Sequence, residues 1–144
     1  MNLMVKLAWR LCTEPDQLWF RILQPKYAAY CDFLHLQEDN TNSSWIWKGI
    51  EQGLKIVQQH YRCTIKCGTK ALVWYDRWVN GLTEPPTPKH NFADPARIVY
   101  VSDLMLNNPT RWNVPLTTEL FDSQIVQLIL NMYIPQHGED ALIW

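Results

Sequence analysis

"TIKCGTKALVWYDRWVNG", residues 64–81, is where the chain changes character. Upstream of it the apolar residues recur at helical spacing; here the period falls to two. Cys63 and Ile65 alternate with Arg62, Thr64 and Lys66, and Ala71, Val73 and Tyr75 resume the alternation. Cys67-Gly68 between the two runs predicts a tight turn, and the whole a β-hairpin. Gly68 reaches a positive φ at no steric cost, whereas Cys67 would do so less well. The stretch then runs into Asp76, framed by Trp74 and Trp78. A carboxylate between two indoles could be a catalytic acid, a stacking platform for bases or sugars, or a structural corner.

Working upstream, Trp47, Ile50, Leu54, Val57 and Tyr61 step by three and four, which predicts an amphipathic helix over residues 44–60. Ser43 or Ser44 is placed to cap it, and QEDNTNSS (residues 37–44) reads as a polar loop. Met4, Leu7, Ala8 and Leu11 predict a first helix that begins uncapped. A second is expected to start at Thr13 as N-cap, with Pro15 early and Asp16 in capping-box position. Leu18, Trp19, Ile22 and Leu23 form its apolar face. Pro25 should end it, because an interior proline removes a hydrogen bond and clashes with the preceding turn.

Downstream, Pro85, Pro86, Pro88 and Pro95 predict an extended crossing over residues 81–97. Val99, Val101, Leu104, Met105 and Leu106 suggest a short strand or helix, closed by Asn107-Asn108-Pro109. Thr117 or Thr118 opens a last helix through Leu120, Phe121, Ile125, Leu128 and Ile129, stopped before Pro135. The residues Ala141, Leu142, Ile143 and Trp144 are strand-like.

A length of 144 residues predicts one domain with a real core, and 47% hydrophobic residues exclude compositional disorder. A formal net charge of −1 and a pI near 6.4 argue against a whole-surface nucleic-acid binder. The charge is uneven, however. Residues 48–70 carry Lys48, Lys55, Arg62, Lys66 and Lys70 against Glu51; residues 101–144 carry Arg111 against Asp103, Glu119, Asp122, Glu139 and Asp140. Cys12, Cys31, Cys63 and Cys67 come without a secretory signal, which predicts an intracellular chain with reduced thiols. No apolar run approaches the roughly 20 residues that span a bilayer, so no membrane partner is expected.

A catalytic Asp76 needs a second acid, a His or a metal, and the nearest acid, Glu84, lies in a different, proline-rich segment. The favoured reading is a corner in which Asp76 accepts local backbone hydrogen bonds while Trp74 and Trp78 anchor it to the helix 44–60. His60, Cys63, Cys67 and His90 could be read as soft metal ligands, but paired knuckles use Cys-x2-Cys, and buried or idle thiols are the simpler reading. Arg62, Lys66 and Lys70 flank the predicted turn, Lys48 and Lys55 lie on the preceding helix, and Trp74 or Tyr75 could stack a base. Basic groups interleaved with aromatics suit a groove that tracks a nucleic-acid strand; a solvated hairpin is the plainer alternative. Trp9, Trp19, Trp45 and Trp47 fall at helical spacing and read as core.

Taken in order, LAWRLCTEPDQLWFRILQPKY, SSWIWKGIEQGLKIVQQHYRCTIKCGTKALVWYDRWV, VSDLM and HGEDALIW resemble the polyproteins of plant LINE-type non-LTR retrotransposons, the reverse transcriptase and ribonuclease H-like proteins of those elements. The resemblance covers nearly the whole chain. Its strongest motifs are Trp-Arg-Leu, Leu-Trp and Lys-Tyr within residues 9–27, then Trp-Lys-Gly-Ile, then Trp-x-Asp-x-Trp. The chain departs from the family pattern in having Cys63 in place of Trp, Lys66-Cys67-Gly68 in place of Gly-Asn-Gly, and Pro25 within an otherwise helical segment. The resemblance implies a connector lying after the reverse transcriptase and before a zinc-binding module, near template or product. The parent would be an RNA-directed DNA polymerase, but no Tyr-x-Asp-Asp pair to hold two metals stands in this sequence, nor a set of ribonuclease H acids.

The expectation is therefore an α+β fold, mainly helical: N-terminal helices to residue 62, one β-hairpin and its corner at 63–79, a proline-rich crossing at 80–98, and a C-terminal helix within 99–144. The expected function is that of a non-catalytic fragment, with no cofactor and no metal, whose partner is RNA or DNA in the parent polyprotein. A free-standing protein-interaction module using exposed tryptophans is the alternative.

Overall fold

A computed structural model of the protein describes residues 2–28, 33–36, 44–89 and 94–144. The class is α+β and mainly helical, with five α-helices and two small two-stranded sheets among the described residues. Where the length led to one domain, the chain gathers into two compact units, Met1–Tyr61 and Arg62–Trp144.

The first unit is built on α1 (Leu3–Thr13) and α3 (Trp45–His60), with α2 (Leu18–Tyr27) between them in sequence. The predicted stripe of α3 is its buried face: Trp47, Ile50, Leu54 and Val57 are all below a tenth exposed, as is Tyr61 just beyond. Val5, Ala8 and Leu11 supply the facing stripe of α1. Gly53 permits the close approach, since a Cβ there would stand 2.5 Å from the Met4 carbonyl oxygen. Around Trp47, Tyr27 stacks at 3.9 Å and Phe33 lies tilted at 5.9 Å.

Three details of this unit differ from the sequence reading. Asn2 caps α1, its Oδ1 accepting the Val5 N–H at 2.9 Å, so the helix does not begin uncapped. Thr13 ends α1 rather than opening α2: its hydroxyl donates back to the Trp9 carbonyl, and Gln17 is the N-cap of α2. Pro25 lies inside α2, which runs on to Tyr27. A proline so near the end removes one intrahelical bond, and the final turn still closes through Ala28 N–H to the Gln24 carbonyl. Ser44 caps α3 as expected, accepting the Trp47 N–H at 3.2 Å. Ser43 and most of the 37–44 loop lie outside the described residues.

The second unit contains a hairpin, but not at residues 63–75. It joins β2 (Met105–Leu106) to β3 (Arg111–Trp112), turning through Asn108 at φ 63. The arms expected to pair with each other find other partners. β1 (Arg62–Thr64) runs antiparallel to β4 (Ala141–Ile143), with Cys63 opposite Leu142. The second arm pairs with residues 99–101: Val73 N–H donates to the Val99 carbonyl at 2.9 Å, and Val101 N–H to the Ala71 carbonyl at 3.0 Å. The alternation holds for Cys63, Ile65, Ala71 and Val73, which are buried, and fails at Tyr75, which is exposed. It marks one strand, β1, and one extended stretch that makes an isolated bridge from Leu72 to Tyr100, without naming the partner of either.

The expected strand or helix at 99–106 is a 3-10 turn, Val101–Leu104, leading into β2. The single C-terminal helix is two, α4 (Val114–Leu120) and α5 (Ser123–Leu130), broken where Phe121 turns extended at ψ 155. Asn113, not Thr117 or Thr118, caps the first of them. Phe121, Leu120 and Ile129 are fully buried along with Val73, Trp78, Val101, Leu104 and Thr117. No described helix is long and apolar enough to cross a membrane.

Candidate nucleic-acid interface

Between β1 and residue 71 the chain makes a basic loop, and its geometry is set by one distant carboxylate. Asp140 Oδ1 accepts the backbone N–H groups of Lys66 at 2.8 Å and Gly68 at 2.9 Å. Its Oδ2 accepts those of Lys70 at 3.1 Å and Ala71 at 3.2 Å. Four donors so arranged form a concave anion nest, and bonds to a carboxylate are stronger than neutral ones. Partial burial pushes the Asp140 pKa up, but the four N–H groups outweigh it and hold the carboxyl below its usual range.

Gly68 makes the loop possible. It sits at φ +74, as its place in the predicted turn required, and its carbonyl accepts the Ser102 N–H at 2.8 Å. A Cβ at this position would lie 2.7 Å from the Ser102 nitrogen.

The lysines of this loop meet the acidic segment before β4. Lys70 Nζ bonds Glu139 Oε2 at 2.9 Å in the open, and this contact raises the lysine's pKa. The Lys66 side chain passes Gly138, where a Cβ would stand 2.8 Å from Lys66 Cδ. The basic and acidic blocks of the sequence thus come together here. That asymmetry was the signal in the sequence for Glu139 and Asp140, which stand there in an acidic block and in HGEDALIW but not among the candidate site residues.

The other candidate residues are distributed differently. Arg62 points inward, its guanidinium donating to the carbonyls of Leu82 at 2.7 Å and Val79 at 2.8 Å. Trp74 is half-buried: its indole N–H donates to the Ile98 carbonyl at 2.9 Å, and its ring lies 5.4 Å from Phe121. Tyr75 is 69% exposed. Lys48 and Lys55 are exposed on α3, in the first unit.

Asp76 is buried, and its Oδ2 accepts the Leu72 N–H at 2.7 Å while its own N–H donates to the Leu72 carbonyl. Trp78 is fully buried, with its N–H on the Val73 carbonyl at 3.0 Å and its ring 6.0 Å from Trp112. The contacts of both framing indoles described here lie within the second unit.

Among the described residues no group of three or more His, Cys, Asp and Glu side chains is arranged to hold a metal ion; His90 lies outside them. Burial, with the charges of Asp76 and Asp140 behind it, pushes the Cys63 thiol far up. His60 Nδ1 lies 2.8 Å from the Ile56 carbonyl of its own helix.

With this geometry in hand, comparison with known proteins places the chain near one plant sequence. It is 28% identical over 89 residues to an uncharacterized mitochondrial protein of Arabidopsis thaliana, a match covering 62% of this chain and 56% of that protein. The matched part thus spans just over half the length of that relative. No family model matches the chain, and no solved structure matches it.

Proposed function

We propose that the chain is a non-catalytic connector from a plant LINE-type retrotransposon polyprotein, lying after the polymerase, and that it contacts nucleic acid through the loop at residues 66–71. The order of motifs along the chain supports the origin, and the plant relative is compatible with it. The contact rests on one observation: Lys66 and Lys70 stand on a loop whose backbone is fixed by four N–H bonds to Asp140. A fixed loop presents charge to a phosphate backbone with little ordering entropy to lose. The exposed Tyr75 ring, a few residues on, supplies a surface for base stacking. The commitment of the Asp76 carboxylate to the Leu72 N–H supports a structural rather than a catalytic acid.

The test is fluorescence anisotropy of labelled single-stranded RNA and DNA at two salt concentrations, beside a Lys66→Glu/Lys70→Glu variant. Binding that weakens with salt and is lost in the variant supports the reading. A folded sample that binds neither strand refutes it.

A second reading, a protein-interaction module, is favoured by the first unit. Trp45 is 76% exposed, Leu18 72% and Ile22 63%, and α2 buries no residue fully. Self-association that falls in Trp45→Ser would support it, and association unchanged by that substitution would count against it.

A further inference from the structure

We infer that the loop at residues 66–71 is a binding nest for a phosphate oxyanion, and that Glu139 and Asp140 are its built-in competitor. For the source of the phosphate, a nucleic-acid backbone, this rests on the function proposed above.

Four backbone N–H groups converge on a single two-oxygen acid at 2.8–3.2 Å. Backbone donors do not distinguish a carboxylate oxygen from a phosphate oxygen of similar size and charge. What they hold in this structure is therefore a guide to what they take. The lysines beside the nest repeat the pattern. Lys70, whose own N–H is one of the four donors, has its ammonium held by Glu139 at 2.9 Å.

The acid that fills the nest and the acid that neutralises its neighbour are consecutive residues. They lead into β4, a strand of three residues whose ends, Ala141 and Ile143, are exposed. So short a strand is held by few bonds, and the Lys70–Glu139 pair is largely exposed, which makes it weak. A phosphate that enters the nest regains the four N–H bonds and the charge of Lys70 together. The acidic segment thus sets a threshold: the loop binds phosphate only where the ligand outcompetes its own chain.

Amide NMR and RNA binding test this. Inorganic phosphate titrated into Asp140→Asn is expected to shift the amide resonances of Lys66, Gly68, Lys70 and Ala71 saturably, at concentrations that leave the wild-type loop unmoved. Glu139→Gln leaves the nest and its acid in place and removes only the lysine pairing. It is expected to bind single-stranded RNA about twofold to fivefold tighter than wild type, the scale of one exposed ion pair. Glu119→Gln, the same charge change on α4, is expected to bind as wild type does. If Asp140→Asn does not fold, inorganic phosphate titrated into Glu139→Gln and read at the same four amides decides for the nest: shifts at lower phosphate than in wild type support it, and four unmoved amides overturn it. Four unmoved amides in folded Asp140→Asn, or Glu139→Gln binding no tighter than Glu119→Gln, would overturn the inference. RNA binding through Lys66 and Lys70 without any gain in Glu139→Gln would leave the proposed function standing and remove this one. Phosphate-shifted amides in a protein that binds no RNA would keep the nest, with free phosphate as its ligand, and remove the nucleic-acid reading.

Discussion

The Asp140 carboxylate accepts the Gly68 N–H at 2.9 Å, joining residues 72 positions apart. Gly68 takes a conformation that L side chains rarely adopt, and that conformation turns its N–H toward the acid along with those of Lys66, Lys70 and Ala71. Neither residue explains the loop alone. The glycine gives the backbone its path, and the carboxylate satisfies the donors that this path leaves outside any sheet.

Asp140→Asn is expected to destabilise the second unit by about 2 kcal/mol, a figure discounted for the partial exposure of the site. The same carboxylate makes stability depend on acid. Its pKa in the folded chain lies below the ordinary 3.8, so on acidification the unfolded chain takes up the proton first. The contribution is therefore complete above that ordinary value and drains away as pH falls through the lower folded-state value. Urea unfolding between pH 6 and the most acidic folded condition, about pH 2, checks this: the acid loss should be shallower in Asp140→Asn.

Asp76→Ala is expected to cost about 1–2 kcal/mol, because it leaves the part-buried Leu72 N–H without the carboxylate that accepts it at 2.7 Å. Asp76→Asn keeps an acceptor oxygen and should lose less. Thermal unfolding of the two variants measures the difference. Equal losses would mean that the negative charge, rather than the acceptor, matters at the corner.

The fold was legible where a signal was local. The stripe of α3 repeats at the helical period, and Gly68 alone among the turn residues could take φ +74. The break between α4 and α5 was not legible. Leu120, Phe121, Ile125, Leu128 and Ile129 keep helical spacing across it, and no proline or glycine stands at Phe121-Asp122. Strand pairing failed for a different reason. Alternation says that Cys63 and Val73 face a core, but the backbone partners of the two, Leu142 and Val99, are chosen by tertiary packing. Of the site, the lysines were visible as charge. Asp140 was visible as charge too, but its place on the loop was not, because the four N–H groups that hold it carry no side-chain signature.

Cys67 should react with iodoacetamide well before Cys63. Cys63 is buried, and burial together with the charges of Asp76 and Asp140 keeps its thiol protonated. Cys67 is partly exposed. What burial it has raises its pKa, but the hydrogen bond with the Thr69 hydroxyl and the backbone bonds around it bring the net shift downward. Peptide mass mapping over a time course reads the order, and denaturant should abolish the difference.

Gly53→Ala sets two effects of opposite sign against each other. An alanine in a helix interior gains up to about 1 kcal/mol over glycine from backbone propensity alone. Against that, its Cβ would stand 2.5 Å from the Met4 carbonyl oxygen and 2.8 Å from the carbonyl carbon. Both are backbone atoms of α1, so no side chain can swing aside and the helix itself must move. Overpacking of this kind costs about 1–3 kcal/mol, so the clash wins and the first unit should lose about 1 kcal/mol net. Hydrogen exchange of the α1 amides is the sensitive readout. Protection should fall along α1 while the second unit keeps its own, and a stabilised Gly53→Ala would show that α1 and α3 do not approach through this glycine.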